Sequence, residues 1–246
     1  MTPGRAFIRG LAAASLWTLA FSAPAEEQAV ELELVLLADA SSSIRGNEFD
    51  LQTRGYANAF RDPRVIAAIE GLGSSGIAVT YVQWSASFQQ TDTVPWMQIR
   101  TAQDAERFSQ AVMTQSRRFL GFGTATGKAL AHGAAAILEN RFRGRRKIID
   151  ITSDEHSNQG PRPRSVRDEI IAAGITVNGL IILDDKFDLE TYFREAVIGG
   201  DGAFVIAVDS YEDFADAILR KILREITGAP AAALPPQDRA LSLAER

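Results

Sequence analysis

The chain has 246 residues, of which 46% are hydrophobic and 23% charged, and its formal net charge is -5. This balance is typical of a globular protein, and the length suits a single α/β domain. The negative charge argues against a nucleic-acid partner, because phosphate binding needs a concentrated basic surface. The absence of cysteine excludes thiolate catalysis and cysteine-based zinc sites, and the presence of only two histidines argues against a histidine zinc site.

The two ends of the chain differ in composition from its middle. Arg5 and Arg9 precede a short apolar run at residues 11–20, and Ala23-Pro24-Ala25 offers small residues for cleavage. Residues 1–25 are therefore predicted to be a secretory signal peptide, since a membrane span needs roughly 20 apolar residues. Residues 229–246 are rich in Ala and Pro and are predicted to form a flexible tail. Residues 26–228 are predicted to form one domain of a periplasmic or secreted protein with no membrane span.

Strand and helix patterns alternate through this domain. Apolar and β-branched runs predict strands at residues 30–37, 77–84, 147–152, 175–183 and 203–208, with a shorter edge strand at 93–97. Apolar residues at helical spacing predict helices at residues 47–60, 65–69, 102–117, 127–140, 164–173, 189–197 and 211–227. A basic run from Arg141 to Lys147 is interpreted as a solvated turn, with a patch for anionic head groups or glycans as the alternative. The alternation predicts an α/β fold with a mostly parallel sheet and helices on both faces.

The first strand is followed by Asp39-Ala40-Ser41-Ser42-Ser43. Alternate residues of an extended loop project to the same side, so Asp39, Ser41 and Ser43 can converge on one point. A carboxylate with two hydroxyls suits a hard cation such as Mg²⁺ or Mn²⁺. The same residue types also favour a polar turn that caps the next helix, and this loop alone does not decide between the two.

Two further loops favour the metal interpretation. Thr124 lies in a Gly123-Thr124-Ala125-Thr126-Gly127 segment before a helix, and Asp154 follows the strand at 147–152. Ligands of open parallel sheets gather at the carboxyl ends of strands where the winding reverses. If the strands before Asp39 and Asp154 are neighbours there, the two carboxylates repel each other unless a cation lies between them.

This ordered set of DASSS, GTATG and a strand-ending aspartate resembles the metal-ion-dependent adhesion site of von Willebrand factor A domains, over roughly residues 30–227. The resemblance is to a bacterial branch of that family with an N-terminal signal. It implies a Rossmann-like three-layer sandwich of about six strands. It also implies Ser41, Ser43 and Thr124 as hydroxyl ligands of the cation, with Asp39 and Asp154 binding through water or directly.

The resemblance implies a binding protein and no enzyme: the cation would capture an acidic group on a protein partner. The rim of the site is expected to include Phe122, Gly123, Glu155, His156 and Asn158. Glu155 stands where the family usually has glycine, and a carboxylate turned towards the ion would compete with an external ligand. The alternative hypothesis is therefore a structural or interaction protein with the same fold and an unused metal site.

A metal-dependent hydrolase with Asp39 as nucleophile is a third hypothesis. It is disfavoured because such enzymes usually carry a second acid two residues on, where this sequence has Ser41.

Overall fold

A computed structural model describes residues 27–119 and 122–228. The predicted signal peptide and the predicted tail lie outside these residues. None of the helices in these two ranges is long and apolar enough to cross a membrane.

Six strands form one sheet in the order β3-β2-β1-β4-β5-β6. The strands are β1 (Gln28–Asp39), β2 (Ile77–Trp84), β3 (Gln90–Ile99), β4 (Phe142–Ser153), β5 (Thr176–Ile182) and β6 (Val205–Val208). Only β3 is antiparallel to its neighbour, and it lies at the edge, where Pro95 costs no interior hydrogen bond. The predicted mostly parallel α/β sheet is confirmed.

Helices cover both faces of the sheet. They are α1 (Gly46–Arg61), α2 (Pro63–Glu70), α3 (Ala102–Met113), α4 (Thr126–Glu139), α5 (Pro163–Ala172), α6 (Leu189–Tyr192), which continues as a π-turn (Phe193–Val197), and α7 (Phe214–Thr227), which follows a 3₁₀ turn (Tyr211–Asp213). One hydrophobic core joins the sheet to α1, α2, α3 and α7, and a second joins it to α4, α5 and the α6 segment. Strand β1 contributes to both cores, because successive side chains of a strand point to opposite faces of the sheet. Leu34 and Leu36 pack into the first core, and Val35 and Leu37 pack into the second.

The topology places the ends of β1 and β4 side by side. The chain leaves β1 for β2 on one side and later returns to the other side of β1 for β4, so the winding reverses between these two strands. Their parallel register pairs Leu37 with Ile151. Asp39 and Ser153 come two residues further on and end their strands together, followed by Asp154. This is the strand-end position at which ligands of such sheets bind.

Two predicted boundaries differ from the structure for identifiable reasons. The helix predicted over 102–117 ends at Met113, because the side chain of Gln83 accepts from the backbone N–H of Arg118 and donates to the carbonyl of Ser116. These bonds hold the segment extended across the end of β2. The basic run is not a turn: β4 begins at Phe142, where it pairs with Gln28, and so includes the run from Arg143 onward.

Candidate metal site

The loop after β1 folds around the carboxylate of Asp39, which is fully buried. Its Oδ1 accepts the backbone N–H of Ser41 at 2.7 Å, and its Oδ2 accepts the hydroxyl of Ser153 at 2.7 Å. Two residues on, the hydroxyl of Ser41 lies 3.0 Å from that of Ser43. Both serine hydroxyls therefore face the same side of the loop. The predicted extended segment is wrong, however, because residues 41–44 form a turn in which the Ile44 N–H donates to the Ser41 carbonyl at 3.2 Å.

The β4 loop meets this hydroxyl pair from the neighbouring strand. Ser43 donates its hydroxyl to Oδ1 of Asp154 at 2.9 Å, which joins residues 111 positions apart. The side chains of Asp39, Ser41, Ser43 and Asp154 thus form one hydrogen-bonded group at the switch point of the sheet. Lys186, in the loop after β5, donates to the backbone carbonyl of Asp154 at 2.8 Å and anchors this aspartate from the other side.

Thr124 is brought to the group by a pair of bonds with Asn158. The Thr124 backbone N–H donates to Oδ1 of Asn158 at 2.8 Å, and the Asn158 N–H donates to the Thr124 carbonyl at 2.9 Å. The hydroxyl of Thr124 donates to Oε2 of Glu155 at 3.2 Å. Glu155, the residue that replaces the usual glycine, therefore turns towards a predicted ligand.

Gly123 has a backbone conformation that favours glycine, at the point where this loop passes the side chain of Gln159. Its φ of 141° lies in the region that favours glycine, and a Cβ atom there would lie 2.2 Å from the Gln159 amide nitrogen. The end of β2 supports the same segment, since Ser85 donates its hydroxyl to the Gly123 carbonyl at 3.1 Å. The glycine therefore lets the threonine loop approach the β4 loop closely.

An open pocket of about 520 Å³ borders two of the five predicted ligands, Ser43 and Thr124, whereas Asp39, Ser41 and Asp154 are buried and do not line it. It is lined by Ser42, Ser43, Phe122, Gly123, Thr124, Glu155, Asn158 and Gln159. Four of the five residues expected at the rim thus line the pocket. His156 does not: its ring packs against Tyr192, with 4.5 Å between ring centroids, and Nε2 lies 3.4 Å from Asp188.

The ionised forms of Asp39 and Asp154 are disfavoured in the absence of a cation. Burial and, second, the negative charge of Asp154 raise the pKa of Asp39 to about 7. Burial also raises the pKa of Asp154, although the hydrogen bond from Ser43 opposes that shift. Two buried carboxylates this close need a compensating positive charge to remain ionised.

Arg117 is a structural residue of the site that the sequence did not reveal. Its guanidinium donates to the carbonyls of Ala40 at 2.9 Å and Ile44 at 2.7 Å, and also to the carbonyl of Ser41. It therefore fixes the loop that carries the two serines. An arginine at the end of an apparent amphipathic helix gave no sequence signal of this role, because the bonds depend on the chain being extended there.

The family model described as "Protein of unknown function (DUF1194)" matches residues 29–230. The chain belongs to this family. A comparison with curated protein sequences gives no match.

Solved structures similar to this DUF1194 protein share its fold. Proximal thread matrix protein 1 from the mussel byssus superposes with a TM-score of 0.57 at 19% identity, covering 83% of this chain and 49% of that one. The pilus adhesin SpaC from Lactobacillus rhamnosus GG, in its open conformation, gives 0.56 at 16% identity, covering 82% and 31%. The von Willebrand factor type A from Catenulispora acidiphila gives 0.56 at 15% identity, covering 80% and 43%.

These comparisons show a von Willebrand factor A-like fold, and the predicted family resemblance is confirmed. The DUF1194 chain spans about half the length of the mussel protein and less of the other two. A further structure of the mussel protein, 20% identical to this chain, is described as having a zinc-occupied metal-ion-dependent adhesion site (MIDAS) motif.

The donors in this DUF1194 protein fit a hard divalent cation. The predicted ligands are two carboxylates and three hydroxyls, all oxygen donors. Hydrogen bonds join Ser41, Ser43 and Asp154, whereas the Thr124 hydroxyl bonds Glu155 and lines the same pocket as Ser43. Within the described residues, no group of three or more His, Asp or Glu side chains is arranged to hold a metal ion. A cation at this place would therefore depend on serine and threonine oxygens for much of its coordination.

Proposed function

We propose that this chain is an exported binding module that captures an acidic group of a protein partner through a divalent cation, Mg²⁺ or Mn²⁺. Asp39, Ser41, Ser43, Thr124 and Asp154 would hold the ion. The observation that carries the proposal is the bond from Ser43 to Asp154, which joins the two central strand ends beneath an open pocket. When bound, the ion supplies a Lewis-acidic centre with affinity for one more anionic oxygen.

The number of donors supports an external ligand. The two aspartates balance the charge of a dication, but five side chains leave one position of an octahedral Mg²⁺ shell open. Oxygen from a partner's Asp or Glu would complete its preferred hard-oxygen shell. The pocket above Ser43 and Thr124 leaves room for such a group to enter.

A binding role is proposed over a catalytic one because of the state of Asp39. Its carboxylate is fully buried, and both of its oxygens accept hydrogen bonds, from Ser41 and Ser153. A nucleophilic aspartate must reach the atom it attacks. Phosphoester turnover that disappears in Asp39→Asn would contradict this part of the proposal.

The metal is tested by thermal unfolding of the purified chain with Mg²⁺, Mn²⁺ or Zn²⁺ and then with chelator. A ligand at about one hundred times its Kd stabilises by about 2.7 kcal/mol, which is about 5–10 °C for a domain of this size. Ser43→Ala is expected to remove most of this increase, and Asp39→Ala all of it. Ser74→Ala is the matched control, because its exposed side chain lies in the turn between α2 and β2 and does not line the pocket. An equal response to metal in all four proteins would refute the site.

A second candidate function is favoured by the bond between Thr124 and Glu155. If this carboxylate holds the external-ligand position, the protein keeps the fold and interacts with partners without using the metal. Calorimetric titration of glutarate in Mg²⁺ separates the two. Binding to the wild type supports the first function, whereas binding only to Glu155→Gly supports the second.

Export to the periplasm or the medium is also part of the proposal, and it rests on residues 1–25. The N-terminus of protein recovered from the bacterial envelope is expected at Glu26. An intact Met1 in that fraction would contradict cleavage.

A further inference from the structure

Exposed phenylalanines gather at the metal-site end of the molecule. In the described part of the chain, four large apolar side chains are strongly exposed: Phe88 (87%), Phe122 (85%), Phe187 (88%) and Leu138 (56%). The three phenylalanines lie in loops at the carboxyl ends of the parallel strands, whereas Leu138 lies near the far end of α4. Single exposed apolar residues are ordinary, but three in the loops at one end of the sheet favour an interaction surface there.

Two of the phenylalanines are coupled to the site by one side chain. Gln159 donates from Nε2 to the Phe122 carbonyl at 2.9 Å, and its Oε1 accepts the Ser87 backbone N–H at 3.3 Å. Phe88 directly follows Ser87, and Phe122 and Gln159 both line the pocket. The loops that display Phe88 and Phe122 are therefore fixed to each other and to the β4 loop.

Phe187 lies on the other side of the β4 loop. Lys186 bonds the carbonyl of Asp154, which places the next residue beside the site. Asp184 and Asp185 have positive φ angles, 38° and 66°, and make the turn that displays Phe187. Both of these aspartates and Asp188 are exposed, so the aromatic ring is set in a locally acidic surface.

We propose that the partner is a protein segment that places a carboxylate in the pocket and apolar side chains against Phe88, Phe122 and Phe187. This inference rests on the proposed function and adds the residues that flank the acidic one. Aromatic side chains contribute strongly at interface centres, because they bury a large area at a small entropic cost. The three rings would thus select the partner while the cation anchors it.

Charge favours a protein segment over a lipid surface. Glu155 lines the pocket, and Asp184, Asp185 and Asp188 are exposed in the segment that carries Phe187. These carboxylates would repel the anionic head groups of a bacterial membrane. A polypeptide can meet them with a lysine or arginine next to its apolar residues. The expected sequence is therefore an acidic residue, apolar neighbours and a cationic residue on the Phe187 side.

The test uses the full mature chain in millimolar Mg²⁺ and synthetic heptapeptides with a central Asp. One series has Leu and Phe on both sides of it, a second has Ser, and a third replaces the central Asp by Asn in the apolar background. Fluorescence anisotropy is expected to show at least tenfold tighter binding of the apolar Asp series than of the Ser series. The Asn series should not bind.

Phe88→Ser and Phe187→Ser are each expected to weaken the apolar series about fivefold and leave the Ser series unchanged. Phe122→Ser also changes the pocket lining and is expected to weaken both series, the apolar one more strongly. Leu138→Ser is the matched control, an exposed apolar residue about 18 Å from the start of α4 by helical rise. All four variants should keep the thermal response to Mg²⁺. Retention of that response shows that the site is intact when affinity falls.

The possible failures are distinct. Equal binding of the apolar and Ser series, both dependent on Asp, would overturn this inference and leave the proposed function standing. No Mg²⁺-dependent binding of any Asp peptide would overturn both. Binding to vesicles of phosphatidylcholine and phosphatidylglycerol that is lost in the phenylalanine variants, without peptide binding, would overturn the protein partner in favour of a lipid surface.

Discussion

Arg117 offers a test of how the metal-site loop is held. Its guanidinium donates to the carbonyls of Ala40, Ser41 and Ile44, and Arg117→Leu removes these bonds together. Hydrogen bonds to a charged donor contribute about 1.5–3 kcal/mol each. Because the side chain is partly exposed, water can replace some of them, so the expected loss of unfolding free energy is about 2–3 kcal/mol in total.

Urea unfolding followed by circular dichroism measures this loss. With a slope of about 2–3 kcal/mol per molar urea for a domain of this size, the midpoint is expected to fall by about 1 M. The Kd for Mg²⁺, measured by calorimetry, is expected to rise at least tenfold, because the loop that carries Ser41 and Ser43 is no longer fixed.

Arg118→Leu is the matched control, since its side chain is exposed and only its backbone N–H bonds Gln83. This variant should stay within about 0.5 kcal/mol of the wild type. The reasoning would be refuted if the two variants had the same urea midpoint and the same Mg²⁺ affinity, because the loop would then hold its shape without Arg117.

Two further predictions concern backbone and buried charge. Gly123→Ala is expected to destabilise the fold by about 1–3 kcal/mol, because the φ of this residue is 141° and the new Cβ meets Gln159. The same variant is expected to reduce the thermal response to Mg²⁺. Gly46→Ala is the control: it has open space around it and should change neither the stability nor the response to Mg²⁺. Burial raises the pKa of Asp150 from 3.8 to about 8, even though Lys221 opposes the shift. The folded state therefore keeps a proton that the unfolded chain releases, so this group's stabilisation is complete below about pH 4 and is lost as the pH rises through about 8. The urea midpoint of the wild type should be lower at pH 8.5 than at pH 5, and this difference should be smaller in Asp150→Asn. An equal difference in both proteins would contradict the assignment of this pH dependence to Asp150.

The architecture was predictable because its signals are local and mutually consistent. The strand at 77–84 is found at Ile77–Trp84, since a continuous apolar β-branched run has few other places to be buried. The face of α7 formed by Phe214, Ile218 and Ile222 is buried as its spacing predicts. Boundaries failed where tertiary contacts overrode local preference, as at the end of α3.

The site was predictable in part. The switch-point rule placed Asp39 beside the β4 loop, whereas Ser41 and Ser43 come together through a turn and not through the alternation of an extended segment. Ser153 was not recognised as the partner of Asp39, because its role follows from the pairing of β1 with β4 rather than from any motif. The exposure of Phe187 could not be predicted either, since a single phenylalanine between charged residues does not indicate whether its side chain is buried or exposed.

The three loops of the site are joined mainly by atoms other than the oxygens proposed to bind the ion. Asn158 hydrogen-bonds the backbone of Thr124, and Gln159 hydrogen-bonds the backbones of Phe122 and Ser87. Arg117 donates hydrogen bonds to the carbonyls of the first loop. Shape and chemistry are therefore encoded by separate side chains. An engineer could exchange the coordinating residues for softer ones, to select a different ion, while the surrounding framework continues to set their positions.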